Sequence, residues 1–270
     1  MSQSLSATDK KIQGLLGKAV REFDLIKNND RVAVAVSGGK DSMALLYMLK
    51  ERLNWIPIRY ELLAVHLDMG FEGTQPHLIE QACHEIGVPF YMEKTDYGIK
   101  AHGPDNRENP CFLCSWLRRK RLFQLANALN FSKIAFGHNK DDIIETLFLN
   151  MFFSGELSTM LPKQSLFKGR LTIIRPLALL EENRIKQFSV RKGFPGIANP
   201  CPSARNSSRK EIKDLLSVFY SRNRKIKGNI FHALSHVRPE YLLSSPPQNP
   251  PPPGKESTRF MGEGFNNFPI

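Results

Sequence analysis

Residues 32–42 read Val-Ala-Val-Ala-Val-Ser-Gly-Gly-Lys-Asp-Ser, and this stretch restricts the fold more than any other part of the chain. A short unbroken apolar run is a strand buried on both faces, the kind found in parallel sheets covered by helices. Two glycines end it, and the residues from Ser42 to Leu53 form a helix that begins to pack through Met43-Ala44-Leu45-Leu46. Strand, glycine turn and helix start together make a cradle for phosphate. The glycines let the backbone approach an anion, successive N–H groups point at its oxygens, and the helix adds its positive end. Lys40 supplies a point charge, Ser37 and Ser42 supply hydroxyls, and Asp41 can hold a hydrated Mg²⁺ or a backbone amide. No G-x-x-x-x-G-K-[ST] string is present, so the cradle is not that of the P-loop NTPases.

The string Ser37-Gly38-Gly39-Lys40-Asp41-Ser42 resembles the pyrophosphate loop of the PP-loop ATP pyrophosphatase superfamily. The resemblance implies that these six residues bind ATP, that Lys40 and Asp41 serve catalysis, and that a carbonyl oxygen is activated by adenylation with release of pyrophosphate. Sulfur insertion, amide formation and lysidine formation all use that chemistry, so the rest of the chain has to decide.

With 270 residues and 41% hydrophobic content, the chain can form one sizeable α/β domain plus attachments. The polar start from Met1 to Lys11 has no signal-peptide core, and no run reaches membrane-span length, so a cytoplasmic location and no membrane partner are expected. In a reducing compartment the four cysteines are metal ligands, catalytic groups or buried thiols rather than a disulfide framework. The formal charge is +12, and residues 244–270 hold only balanced charges, Lys255 and Arg259 against Glu256 and Glu263. The excess therefore sits in the folded part, where a basic surface is the footprint of nucleic acid or merely a solvated face.

In chain order, Leu15 to Ile26 reads as a leading helix and Tyr60 to Leu67 as a second buried strand ending at Asp68. At a strand's carboxyl end Asp68 either meets nucleotide or Mg²⁺ or caps a turn. Thr74 to Ile86 reads as a helix, Val88 to Met92 as a third strand, and the stretch from Thr95 to Asn109 as an aperiodic connection. A helix is expected from Ser115 to Asn130, carrying Arg118 and Arg119 in its first turns. Ser132 to Phe136 is a fourth strand, followed at once by Gly137-His138-Asn139-Lys140-Asp141-Asp142 and a helix with Glu145 and Thr146. This second polar cluster faces the same crevice as the phosphate loop. His138 can donate to a phosphate or carbonyl, and Asp141 or Asp142 can handle Mg²⁺ or a proton. Leu171 to Ile174 reads as the last strand, and Glu181 to Lys192 as a helix.

Cys111 and Cys114 stand at C-x-x-C spacing, which serves a metal, an iron–sulfur cluster or a redox dithiol. Cys201, held between Pro200 and Pro202, is displayed rather than buried, whereas Cys83 reads as an ordinary core thiol. C-x-x-C plus one distant cysteine matches a cluster with one open iron better than tetrahedral zinc.

Together these strings resemble the tRNA 2-thiocytidine biosynthesis family, the tRNA-cytidine 2-sulfurtransferases, over roughly residues 25–243. The match includes V-H-L-D, P-C-F-L-C-S-W-L-R-R, G-H-N-K-D-D-x-x-E-T, the third cysteine and R-K-E-I-K-D-L-L. Relatives often carry a second C-x-x-C where this chain has Cys201-Pro202-Ser203-Ala204. The resemblance implies a doubly wound, mostly parallel α/β sheet of the adenine-nucleotide alpha-hydrolase kind and ATP-dependent thiolation of a tRNA cytidine, at position 32 of the anticodon loop. It further implies a [4Fe–4S] cluster on Cys111, Cys114 and Cys201, with Mg²⁺ and ATP. ATP-binding residues would include Asp68 and His138, and Arg118, Asp141 and Asp142 would join the catalytic set. Its partners are tRNA and a sulfur donor such as a cysteine desulfurase, with a homodimer admissible. The rivals are a tRNA 2-thiouridine synthase, a persulfide-based transferase, and a zinc-containing RNA-binding protein with a degenerate ATP site.

Between Arg205 and Lys227 eight basic residues face Glu211 and Asp214, interleaved with an apolar helix stripe. Arg119, Arg205, Arg209, Arg222, Arg224 and Lys225 are the candidates for gripping RNA. The expected organisation is a lead-in over 1–30, the ATP-binding domain over 31–200, a basic helical segment over 201–243 and a proline-rich tail over 244–270.

Overall fold

The computed structural model describes residues 6–194, 196–197, 200–204 and 207–243. Arg205 and the proline-rich tail lie outside the described residues. The chain up to Asp214 belongs to one compact unit, and from Leu215 onward to a second.

In the first unit, α1 (Ala7–Glu22) leads into β1 (Asp30–Ala35), α2 (Lys40–Arg52), β2 (Tyr60–Asp68), α3 (Pro76–Ile86) and β3 (Phe90–Lys94). Next come α4 (Tyr97–His102), α5 (Pro110–Ala128), β4 (Lys133–Ala135) and α6 (Lys140–Ser154). Then follow β5 (Lys163–Leu166), β6 (Leu171–Ile174), α7 (Glu182–Arg191) and the start of α8 (Ser208–Arg222). The strands form one sheet in the order β3-β2-β1-β4-β6-β5. Every neighbouring pair is parallel except β5 with β6, which is antiparallel. The chain winds outward from β1 to β3 and then returns to the other side of β1, so strand order reverses between β1 and β4. Open parallel sheets bind ligands in the crevice that such a reversal leaves at the carboxyl ends.

Side-chain alternation along the strands divides the core between the two faces. Val32, Val34 and Val36 enter a cluster with Leu16 of α1, Leu45 and Leu49 of α2, Ile79 of α3 and Phe188 of α7. Ala33, Val65 and Ile134 are also buried, outside that cluster, and α5 packs on β2 and β4. Helix α2 buries Met43, Ala44, Leu45, Leu46, Met48 and Leu49 almost completely. A buried Leu or Met contributes about 1.5–3 kcal/mol, so this helix is a rigid support for the loop before it. Asp9 pairs with Arg191 at 2.8 Å and thereby ties α1 to α7.

Several local features differ from the sequence reading. Helix α1 begins at Ala7 rather than Leu15, because the Ser6 hydroxyl caps it by accepting from the Asp9 amide at 3.1 Å, and it ends at Glu22 rather than Ile26. Helix α5 begins at Pro110 rather than Ser115, because Asn109 accepts from the Cys111 and Phe112 amides at 2.9 and 3.3 Å and proline occupies the first helical position. Both cysteines of the C-x-x-C pair therefore sit in the first helical turns. The connection after Thr95 contains α4, and the edge strand β5 precedes what read as the last strand. No helix among the described residues is long and apolar enough to cross a membrane.

The second unit holds the end of α8, then α9 (Ile226–Ala233) and a short 3-10 turn, Pro239–Tyr241. Lys227 lies over the Tyr220 ring at 4.9 Å and Arg222 over Phe219 at 5.9 Å.

Candidate functional site

At the end of β1 the backbone turns through Gly38 at φ 76°, a left-handed conformation that a side chain would strain. A Cβ there would also meet the Ile79 and Ile197 methyls at 3.0 Å. Ser42 locks the turn, since its hydroxyl accepts from the Ser37 amide at 3.1 Å and donates to the Gly39 carbonyl at 2.9 Å. That hydroxyl is thus committed to the loop's shape. Gly39 caps α2, leaving the amides of Lys40, Asp41 and Ser42 in the first helical turn. The Lys40 side chain forms no ion pair among the described residues, while its carbonyl accepts from Ser189 at 3.1 Å.

The second polar cluster abuts this loop. Asn139 caps α6 and its amide donates to Asp41 at 2.9 Å. A Cβ on Gly137 would stand 3.0 Å from the Ser42 nitrogen and 3.1 Å from the Asp41 carbonyl carbon. Glycine is therefore what lets the end of β4 approach the first turn of α2. Asp141 accepts from the Glu182 amide at 2.8 Å, and Asp142 closes the capping box by accepting from the Asn139 amide at 2.9 Å. Asp142 also takes Arg209 at 3.0 Å, and the same guanidinium reaches Glu145 at 3.4 Å. Lys213 bridges to Glu182 at 2.8 Å. Arg209, which the sequence grouped with RNA-facing cations, has its guanidinium on these carboxylates. Burial first, then the negative charges of Asp142 and Glu182, push Asp41 up to about 6. Burial likewise raises Asp142, and Glu145 rises to about 7.

A cleft of about 400 Å³ opens beside the loop, lined by Ser37, Gly39, Asp68, Arg118 and all three of Cys111, Cys114 and Cys201. Asp68 is buried and accepts from the Gly70 amide at 2.9 Å and the Thr74 hydroxyl at 3.2 Å, so it caps a turn while facing the cleft. Arg118, half-buried, has no ion pair among the described residues. Arg119 donates to the Ser115 carbonyl at 3.2 Å. Cys83 is fully buried elsewhere, and burial pushes its thiol up to about 12. Two residues escaped the sequence reading. His102, on α4, hydrogen-bonds Ser203 at 2.9 Å and lies 3.9 Å from the Cys201 sulfur. Arg175, after β6, donates to His138 at 3.3 Å.

None of the four cysteines is in a disulfide. Among the described residues no three His, Cys, Asp or Glu side chains converge tightly enough to hold a metal ion. Ligands of an iron–sulfur cluster bind different irons, and three thiols lining one cleft are the kind of donor set such a cluster uses. Burial and then the neighbouring Cys201 thiol push Cys114 up, which a positively charged iron centre would reverse. Arg222, Arg224 and Lys225 of the second unit are exposed.

A phosphate cradle at the switch point of a doubly wound sheet, braced by a second polar strand end, defines a nucleotide-binding protein of the PP-loop class. The PP-loop domain profile matches residues 6–216. A tRNA-cytidine(32) 2-sulfurtransferase of Citrifermentans bemidjiense is 42% identical over 236 residues, covering 86% of this chain and 92% of the relative. That of Geobacter sulfurreducens is 39% identical, covering 87% and 92%. The chain belongs to the tRNA-cytidine 2-sulfurtransferase family, whose members are transferase enzymes. Among solved structures, the U34-tRNA thiolase NcsA from Methanococcus maripaludis with its [4Fe–4S] cluster is similar with a TM-score of 0.71 at 25% identity, covering 86% of this chain and 80% of that one. NMN synthetase from Francisella tularensis, at 14% identity and a TM-score of 0.51, shares the fold alone.

Proposed function

We propose that the protein thiolates tRNA, converting the cytidine at position 32 to 2-thiocytidine with ATP as activator. The observation that carries this reading is the single cleft lined by both the phosphate loop and three unbridged cysteines. Relatives named for cytidine 32 reach 42% identity, against 25% for the U34 thiolase, which supports cytidine over uridine.

In this reading Mg-ATP sits with its terminal phosphates on the Lys40, Asp41 and Ser42 amides, and the Lys40 ammonium neutralises them. Asp41 keeps one oxygen on Asn139 and offers the other to magnesium. Asp68 and His138 flank the nucleotide. Asp141 and Asp142 hold the second loop in place, since their oxygens are taken by backbone amides and Arg209. The C2 carbonyl oxygen of the cytidine attacks the α-phosphorus, the bond to the bridging oxygen breaks, and pyrophosphate leaves. Arg118 neutralises the adenylyl phosphate. Sulfur at the sulfide level then attacks C2 and gives its proton to solvent, and AMP departs with the former carbonyl oxygen. Adenylation turns a poor oxygen leaving group into a good one, which is why a phosphate loop and thiols share a cleft. When bound on Cys111, Cys114 and Cys201, a [4Fe–4S] cluster supplies an iron with an open position for the sulfur to be inserted. Arg119, Arg222, Arg224 and Lys225 contact the tRNA backbone, and Arg205 joins them from outside the described residues. A cysteine desulfurase is the chemical class of sulfur donor, its persulfide sulfur reaching the sulfide level through two electrons from a thiol reductant, and the need for ATP, tRNA and reduced thiols points to the cytoplasm.

The test combines tRNA-dependent exchange of pyrophosphate into ATP with mass spectrometry of the product nucleosides. Wild-type protein gives exchange and 2-thiocytidine, and Lys40→Ala gives neither while keeping its iron. Exchange without any thiolated nucleoside, or 2-thiouridine in place of 2-thiocytidine, would overturn the assignment.

A further inference from the structure

One imidazole at the strand ends has its protonation dictated by its neighbour. Arg175 is only 6% exposed and is pinned by three donated bonds. Its amide goes to the Pro162 carbonyl at 2.8 Å, its Nη1 to the Leu161 carbonyl, and its Nε to His138 Nδ1 at 3.3 Å. A guanidinium carries donors only. Nδ1 must therefore present its lone pair, and the single proton of a neutral ring sits on Nε2. Protonating Nδ1 would break that bond and press two like charges together.

The surroundings act in the same direction. Phe136 stacks on the ring with centroids 5.5 Å apart. Burial first, then the positive charges of Arg175 after β6, Arg209 on α8, and Arg118 and Arg119 on α5, hold His138 well below the ordinary imidazole range. His138 Nε2 has no partner among the described residues. An unpartnered N–H on a half-buried ring, among the positive charges of four guanidinium groups, suits an anionic oxygen. His138 also lies next to Asn139, whose amide holds Asp41 at the phosphate loop.

We propose that Arg175 is a positioning residue that fixes His138 as a permanently neutral Nε2–H donor, and that this donor takes a phosphate oxygen of the bound nucleotide. The ring is then an unchanging electrostatic clamp and never a proton shuttle. The identity of the acceptor rests on the nucleotide reading above, whereas the tautomer does not.

Long-range proton–nitrogen correlation spectra of the full-length, ¹⁵N-labelled protein read the tautomer directly, with His138 assigned by its loss in His138→Gln. The expected pattern is one protonated nitrogen, Nε2, and one bare nitrogen, Nδ1, unchanged from about pH 8.5 to about pH 5.5. In Arg175→Met the two tautomers mix and the nitrogen shifts move toward each other. Should that variant fail to fold, the wild-type spectrum decides alone. A doubly protonated ring, or a proton on Nδ1, overturns the proposal. For the acceptor, calorimetry with a non-hydrolysable ATP analogue compares His138→Gln, whose amide N–H reaches toward the Nε2 position, with His138→Asn, whose amide does not. The glutamine variant should bind nearly as well as wild type and the asparagine variant about tenfold more weakly. Equal loss in both removes the phosphate contact from the proposal and so overturns it. A wild type that binds no nucleotide refutes the ATP reading, and the spectrum still judges the tautomer.

Discussion

Asp41 should be a residue that function needs and the fold resists, and replacing it with asparagine exposes the conflict. Its carboxyl rises from 3.8 to about 6, mainly through burial. That is about two pKa units, and at 1.36 kcal/mol each the ionised form destabilises the folded chain by about 3 kcal/mol. The start of α2 works against this, because a carboxylate in a first helical turn gains about 0.3–1 kcal/mol from the helix dipole. Burial wins by magnitude, and a net cost of about 2 kcal/mol remains. The direction with pH follows from the raised value: the folded chain keeps the Asp41 proton to higher pH than the unfolded chain does. Stability from this group is therefore complete below about pH 4, falls as pH rises to about 6, and stays low above it.

Asp41→Asn keeps an oxygen for the Asn139 amide and removes the charge. Urea unfolding of the nucleotide-free protein should find the variant more stable than wild type by about 2 kcal/mol near pH 8, with the gap closing toward pH 4. The same variant should lose Mg-ATP affinity by at least about tenfold, since a hard cation needs the ionised oxygen. A variant no more stable than wild type near pH 8 would refute the reasoning. It would show that the helix start and Asn139 already compensate the charge, making Asp41 a stabilising cap rather than a destabilised ligand.

Three other outcomes are expected. Anaerobically purified protein should be brown, and single Ser replacements at Cys111, Cys114 or Cys201 should remove iron and thiolation, whereas Cys83→Ser keeps both; one zinc per chain, or iron retained by Cys201→Ser, would favour the persulfide route. Neutralising Arg222, Arg224 and Lys225 together should lower the slope of log affinity for tRNA against log salt by about two, from about 0.7 per released single-strand contact, and an unchanged slope assigns them to a solvated surface. Gly137→Ala should cost about 1–3 kcal/mol of stability and weaken ATP binding, because its Cβ would meet the Ser42 nitrogen at 3.0 Å and backbone, unlike a side-chain tip, cannot swing away; wild-type melting and binding would show the end of β4 to be loosely packed on the start of α2.

The order of elements from β1 to α3 was legible because each signal is local. An apolar run, two glycines and an amphipathic continuation specify strand, turn and helix with no help from distant residues. Strand β5 was not legible for the opposite reason. Lys163-Gln164-Ser165-Leu166 has one apolar residue and becomes a strand through antiparallel pairing with β6 at the sheet edge. Helix α4 spans six residues, too few for a period to appear. The start of α5 does carry a local signal, at Asn109 rather than at Ser115. Asn109-Pro110 is a cap followed by a first-turn proline, and it moves both thiols of the C-x-x-C pair onto the helix.

In the site, motif strings announced which residues would gather but not what each would touch. Nothing local distinguishes Arg209 from Arg222, since both lie on one basic helix. Their difference comes from Asp142 and Glu145, 67 and 64 positions earlier in the chain, which take up the first guanidinium. An arginine beside buried carboxylates is spent on balancing them, and only one without such partners is free to meet a phosphate. Arg175 carries the point further. Its partner His138 is 37 residues away, and the two meet only because β4 and β6 are neighbours in the sheet. The string Arg175-Pro176-Leu177 reads as a strand end, and its chemical meaning arises once parallel pairing sets its guanidinium against an imidazole that must then surrender its Nδ1 proton.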